Sequence, residues 1–155
     1  MLENCESAKE RWGGVSEIID RWLQERQDLL VQYCTLSENK SFDEKDQNQT
    51  DLVRRMCQIM MDYVSAGHFE VYEQLAREGK EFNDTEALEE AKTLYQQAEG
   101  TTDPLLDFND KYQETDDLST LQKDLSHVGE LLANRFEAED KMIAVLHMAH
   151  KDLVA

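Results

Sequence analysis

A single proline and six glycines in 155 residues leave little of the turn material that a many-stranded protein needs, so the composition favours helices. Cysteine is scarce as well. Cys5, Cys34 and Cys57 are odd in number and widely spaced, with no Cys-x-x-Cys pair, and offer neither a disulfide framework nor a zinc knuckle. No apolar run approaches the roughly 18 residues of a membrane span. The start, Met1-Leu2-Glu3-Asn4-Cys5-Glu6, lacks the basic and apolar regions of a signal peptide, so a cytoplasmic location is the expectation. Basic residues are few: 16 Lys and Arg stand against 34 Asp and Glu, a formal net charge of -18. Direct nucleic-acid binding, which works by displacing counterions with cations, is argued against, and so is an anionic membrane surface. A basic protein partner would instead be steered in. The plain alternative is that acidic charge only keeps a small protein soluble.

What is present is helical periodicity. The length suits one domain with one core, residues 1–155. Residues 2 to 12 read as a short leading helix interrupted at Gly13-Gly14. Val15, Ile18, Ile19, Trp22, Leu23, Leu29, Leu30 and Tyr33 then recur at three- and four-residue steps. A polar connection covers Ser37 to Thr50. A second stripe follows, through Leu52, Val53, Met56, Met60, Tyr63, Val64, Gly67, Val71 and Leu75, with Gly79 as its expected stop. The third segment starts at Asn83-Asp84-Thr85-Glu86 and breaks at Gly100-Thr101-Thr102-Asp103-Pro104. It restarts with Asp103 as the expected N-cap and Pro104 at the first helical position. A last helix carries Leu118, Leu121, Leu125, Val128, Leu132, Phe136, Ile143, Leu146 and Leu153. The expectation is an all-α antiparallel four-helix bundle with a short N-terminal helix and a kinked third helix.

The candidate site lies in Asp62-Tyr63-Val64-Ser65-Ala66-Gly67-His68-Phe69-Glu70-Val71-Tyr72-Glu73. A glycine inside a helix costs roughly 0.5–1 kcal/mol relative to alanine, so something must come close at Gly67. Two readings stand at this point: tight packing inside the bundle, or a surface where a partner docks on small residues flanked by aromatic and charged ones. Arg135 and Glu139 lie four apart on the core line of the last helix, and with His68, Tyr72 and Asp20 they are candidates for a polar cluster. A buried cluster of this kind is more often a satisfied hydrogen-bond network than a metal site.

The metal reading rests on His68-Phe69-x-x-Tyr72-Glu73, which resembles the His-Phe-x-x-Glu-Glu of hemerythrin-like bundles. Tyr72 stands where a ligand Glu belongs, and Arg135 stands where the matching His belongs. Arg carries a cation and cannot replace imidazole, so no metal and no cofactor is expected. Ser65 and His68 share a helix, whose N–H groups are already bonded and offer no oxyanion donors, so the chain is not expected to be an enzyme. His147 and His150 fit one helix face near a C-terminus, where the dipole alone favours them. His127 is isolated.

Three phrases, Asp20-Arg21-Trp22-Leu23, Asp62 through Glu73, and Arg135-Phe136-Glu137-Ala138-Glu139-Asp140, closely resemble the Rsd/AlgQ family of bacterial regulators, and Glu10-Arg11-Trp12-Gly13-Gly14 looks like its AlgQ side. The resemblance implies an anti-sigma factor. Such a protein binds region 4 of the primary sigma factor, keeps it from core polymerase and −35 promoter DNA, and favours alternative sigma factors in stationary phase. It also implies partner contacts at Asp20, Trp22, Asp62, Ser65, His68, Phe69, Tyr72 and Glu73, with Arg135 and Glu139 in a supporting network. Some relatives engage a phosphotransfer carrier protein. A hemerythrin-like metal bundle and a general regulatory adaptor are the alternatives.

Overall fold

A computed structural model describes residues 2–38 and 47–150. Its helices are α1 (Leu2–Ser37), α2 (Gln47–Ala66), a π-helical turn (Gly67–Val71), α3 (Tyr72–Glu81), α4 (Thr85–Glu99), α5 (Thr102–Glu114) and α6 (Leu121–Leu146), with a closing 3-10 turn (Met148–His150). No strand occurs among the described residues. The helices form four rods. α1 is the first, α2 with the π turn and α3 the second, α4 with α5 the kinked third, and α6 the fourth. Cross-rod contacts give the directions. Ser16 meets His147, Arg26 meets Asp140 and Tyr33 meets Leu125, so α1 and α6 are antiparallel. Arg135 meets Ala98 and His150 meets Asp84, so α4 and α6 are antiparallel too.

The core follows heptad spacing. In α1 the inward positions are Val15, Ile19, Trp22, Arg26, Leu29, Tyr33 and Leu36, alternating steps of four and three; all are buried except Arg26 and Tyr33, which are half-buried. α6 shows the same rhythm at Leu121, Leu125, Val128, Leu132, Arg135, Glu139, Met142 and Leu146, every one buried.

Several expected boundaries move. The leading helix is not separate: α1 runs through Gly13 and Gly14 without a break. Glycine lowers helix stability by only about 1 kcal/mol each, and a long helix absorbs that. Most of the polar connection, 39–46, and Leu153 lie outside the described residues. Gly79 does not stop its helix, which continues to Glu81. It is a packing glycine: a Cβ there would stand 2.7 Å from Leu88 Cδ2 and 2.9 Å from Leu146 Cδ2. The reversal falls to Asn83, in the left-handed region at φ 52°, and Asp84 then caps α4 by accepting the Ala87 N–H. The N-cap of α5 is Thr101 rather than Asp103, which puts Pro104 third in the helix. A first-turn N–H has no intrahelical acceptor, so the proline costs nothing there.

Candidate functional site

Within the second rod, buried positions fall at Val64, Gly67, Val71, Leu75 and Gly79. After Gly67 each step is four residues. On a regular α-helix a four-residue step over-rotates by about 40°, and a run of such steps would swing the apolar line off the core. The π turn absorbs the excess: the Tyr72 N–H donates to Gly67 O, five residues back. Trp22 of α1 packs into the junction. A Cβ on Gly67 would lie 3.0 Å from Trp22 Cζ2, and the indole Nε1–H donates to Tyr63 O at 3.0 Å. The indole also stacks on Tyr63 with centroids 4.8 Å apart and meets Tyr72 edge-on. Gly67 is therefore glycine because Trp22 occupies the space beside it.

Beneath the π turn lies a closed ionic cluster. Glu139 and Arg135 are both fully buried. The Tyr63 hydroxyl donates to Glu139 Oε1 at 2.5 Å, and the Tyr72 hydroxyl donates to Oε2. Each tyrosine in turn accepts from an arginine: Arg26 Nε donates to Tyr63 at 3.0 Å and Arg135 Nη2 to Tyr72 at 3.1 Å. Arg135 Nε adds a bond to Glu139 at 3.3 Å, and its Nη1 donates to Ala98 O, Thr101 Oγ1 and Thr102 Oγ1 at 3.0–3.1 Å. Two arginine–tyrosine arms thus converge on one carboxylate, drawing on all four rods. Burial pushes the Glu139 carboxyl up, and Arg135, Tyr63, Tyr72 and Arg26 oppose that shift. Burial and then the adjacent Glu139 push both tyrosines well above the usual phenol range, so they remain O–H donors. Arg26 Nη2 stands 3.6 Å from Glu139 Oε1, an ion pair without a hydrogen bond, and the rest of the cluster is cross-bonded, as suits a structural device.

The outer side of the same segment is different. Phe69 is 74% exposed, and its ring sits edge-on to His68 at 4.7 Å. Asp62, Ser65, Glu70 and Glu73 are exposed around it. Asp62 accepts from Gln58 at 3.0 Å and Glu73 pairs with Arg77 at 2.8 Å, both within the helix. His68 is half-buried, with Nδ1 3.0 Å from Glu99 Oε1. A cleft beside the face is lined by Ile18, Arg21, Trp22, Glu25, Ala66, Glu70 and Val71. Burial, then Asp62 and Glu70, hold the Glu25 carboxyl above its usual range, so acids from α1 and from the second rod share one field.

Of the residues expected to contact a partner, Asp62, Ser65, Phe69 and Glu73 lie on this open face and His68 lies at its edge. Trp22 and Tyr72 do not: they are buried at 2% and 6% exposure and support the face from below. Asp20 is exposed on α1 and takes no part in the buried cluster. Sequence reasoning missed Arg26, although its heptad place between Trp22 and Leu29 marks it as inward. It also missed Tyr63 as a donor to Glu139. At positions where the metal reading wants ligands, Tyr72 donates a hydrogen bond and Arg135 contributes a cation. Among the described residues, no three His, Cys, Asp or Glu side chains are grouped to hold a metal ion. No helix among the described residues is long and apolar enough to cross a membrane.

Comparison with known proteins adds a further finding. The chain matches, over residues 1–147, the family described as "Regulator of RNA polymerase sigma(70) subunit, Rsd/AlgQ". It is 38% identical over 150 residues to the "Regulator of sigma D" of Enterobacter sp. (strain 638), covering 94% of this chain and 89% of that protein. The protein of the same name from Yersinia pseudotuberculosis serotype O:1b (strain IP 31758) is 33% identical over 148 residues, covering 92% of this chain and 87% of its own. That from Yersinia enterocolitica serotype O:8 is 32% identical, with 92% and 88% covered.

Proposed function

We propose, from the premise that this chain belongs to the Rsd/AlgQ family of regulators of the RNA polymerase sigma(70) subunit, that it acts as a stoichiometric anti-sigma factor. In this reading it binds region 4 of the primary sigma factor and holds it away from core polymerase and −35 DNA, without turnover and without a cofactor. The observation that carries the reading is Phe69, a large aromatic side chain 74% exposed on a pinned turn and ringed by acids. Aromatic anchors surrounded by complementary charge are the usual hot spots of protein recognition.

The chemistry of the partner supports the same reading. A domain that reads promoter DNA presents cations to phosphates, and a chain of net charge -18 attracts that surface and competes with DNA for it. The contacting set is Asp62, Ser65, His68, Phe69 and Glu73, joined by Glu70 and, through the shared cleft, Glu25. Asp20 lies on α1 as a peripheral acid. Trp22 and Tyr72 serve by fixing the turn.

The test is a titration of the full chain against sigma region 4 at low and high salt. One-to-one binding that weakens as salt rises supports acidic occlusion. Absence of binding at both salt concentrations sinks the reading and leaves the fold intact.

A further inference from the structure

A second constellation sits further along the bundle, where α1, α3 and the end of α6 meet. Ser16 Oγ lies 2.9 Å from His147 Nε2. His147 Nδ1 lies 2.9 Å from both oxygens of Glu78. Three rods each supply one member. His147 and Glu78 are buried, and Ser16 is half-buried. Carboxylate oxygens accept, so Glu78 holds the imidazole with its proton on Nδ1. In the neutral imidazole Nε2 then carries the lone pair, and the Ser16 hydroxyl donates to it. This is the order of nucleophile, base and orienting acid.

The relay borders open space. A cleft of about 380 Å³ is lined by Gly14, Val15, Ile18, Gln74, Arg77, Glu78 and Glu81, which in α1 includes residues on either side of Ser16 in the chain. Arg77, whose Nη2 pairs with Glu73 at 2.8 Å, sets a guanidinium in its wall, and the fork geometry of that group leaves further N–H donors suited to the oxygens of a phosphoryl group. Occlusion of a sigma factor requires none of these groups.

We propose that Ser16 is a nucleophilic modification site that takes a phosphoryl group from a small activated phosphoryl donor. Ser16 Oγ attacks phosphorus, and the Oγ–P bond forms as the bond to the leaving oxygen breaks. The leaving group departs with that electron pair, and the hydroxyl proton passes to His147 Nε2, whose imidazolium Glu78 stabilises. Ser16 stands in the interior of α1, where N–H groups are bonded along the helix and none waits for a developing oxyanion. The product is therefore a stoichiometric adduct and not a turnover cycle. The adduct replaces the Ser16–His147 hydrogen bond with bulk and about −1.5 to −2 charge beside Glu78, loosening α1 from α3 and α6.

A fluorophosphonate probe on the full chain tests this without any partner protein, so the result is independent of sigma binding. Here the Oγ–P bond forms, P–F breaks and fluoride leaves. Peptide mapping by mass spectrometry is expected to find one adduct, on Ser16. His147→Gln is expected to slow labelling by about 100-fold or more, the usual size of a general-base effect. Glu78→Gln slows it in the same direction. Circular dichroism checks the fold of each variant; should His147→Gln not fold, Glu78→Gln and Ser16→Ala decide. No adduct on the wild-type chain, an adduct that persists in Ser16→Ala, or a rate indifferent to His147→Gln overturns the proposal.

Discussion

Tyr72 and Glu73 are neighbours in the chain, yet they belong to different regions of the molecule. Tyr72 is buried and hydrogen-bonded on both sides of its oxygen, to Glu139 and Arg135. Glu73 is exposed and pairs with Arg77, one turn away on the same helix. The inner region spends its charge on closure: its carboxylate is met by two tyrosines and two arginines. The outer region leaves its acids and Phe69 facing water. In the proposed reading recognition uses the outer side, while the inner side holds the π turn in the shape that presents it.

The sharpest way to break this division is at its inner half. Arg135→Ala leaves Glu139 buried with much of its compensation gone, and is expected to cost about 3–5 kcal/mol of stability. Thermal melting followed by circular dichroism reads it, and a melt within a degree or two of wild type contradicts the inner role. On the outer side, Phe69→Ala is expected to weaken sigma region 4 binding by about 2 kcal/mol, some 30-fold, with the melt unchanged. Asp62→Lys shifts affinity in the same direction and flattens its salt dependence. A loss of fold in either variant would show that the two regions are not separable.

Gly67→Ala tests the seam between them. The added methyl meets an indole pinned by a hydrogen bond and a ring stack, so a destabilisation of about 1–3 kcal/mol is expected in place of alanine's usual helical gain. A higher melting temperature would mean that Trp22 yields. Titration with base sharpens the contrast without mutation. The native state holds the Tyr63 and Tyr72 protons above pH 10 while the unfolded chain releases them near that pH. Native protein thus binds more protons there, and stability falls as pH rises beyond about 10. Tyrosinate absorbance from these two residues, assigned with Tyr→Phe variants, should appear only together with unfolding. The smallest effect belongs to Glu73→Gln, which removes an exposed i,i+4 pair and costs about 0.3–0.5 kcal/mol in the melt.

The four rods and nearly all their inward faces were legible in the sequence because three- and four-residue steps report directly on helix faces. Arg135 and Glu139 were legible as core positions for the same reason. Arg26 was not, since an arginine in an apolar line reads as a gap until a buried acceptor is known. The wide turn left a trace in the consecutive four-residue steps from Gly67 to Gly79, but a stripe drawn on one constant period averages it away. Trp22 and Tyr72 carried two expectations, an inward place on the stripe or polar cluster and a place among the partner contacts, because local sequence marks a motif without telling which of its sides turns inward. His147 and Glu78 are 69 residues apart, and no spacing rule pairs them.

The buried cluster has a consequence for the alignment of the bundle. Heptad seams of Leu and Val are nearly self-similar, so a helix slid by one repeat would still bury much the same surface. Here Arg26, Tyr63 with Tyr72, the Ala98 carbonyl with Thr101, and Arg135 with Glu139 mate at a single level, one contribution from each rod. A slide of any rod by seven residues would leave an arginine or a glutamate facing leucine. The cluster works like the notch and tab of a keyed shaft: it admits one longitudinal setting of the four rods and turns the others away.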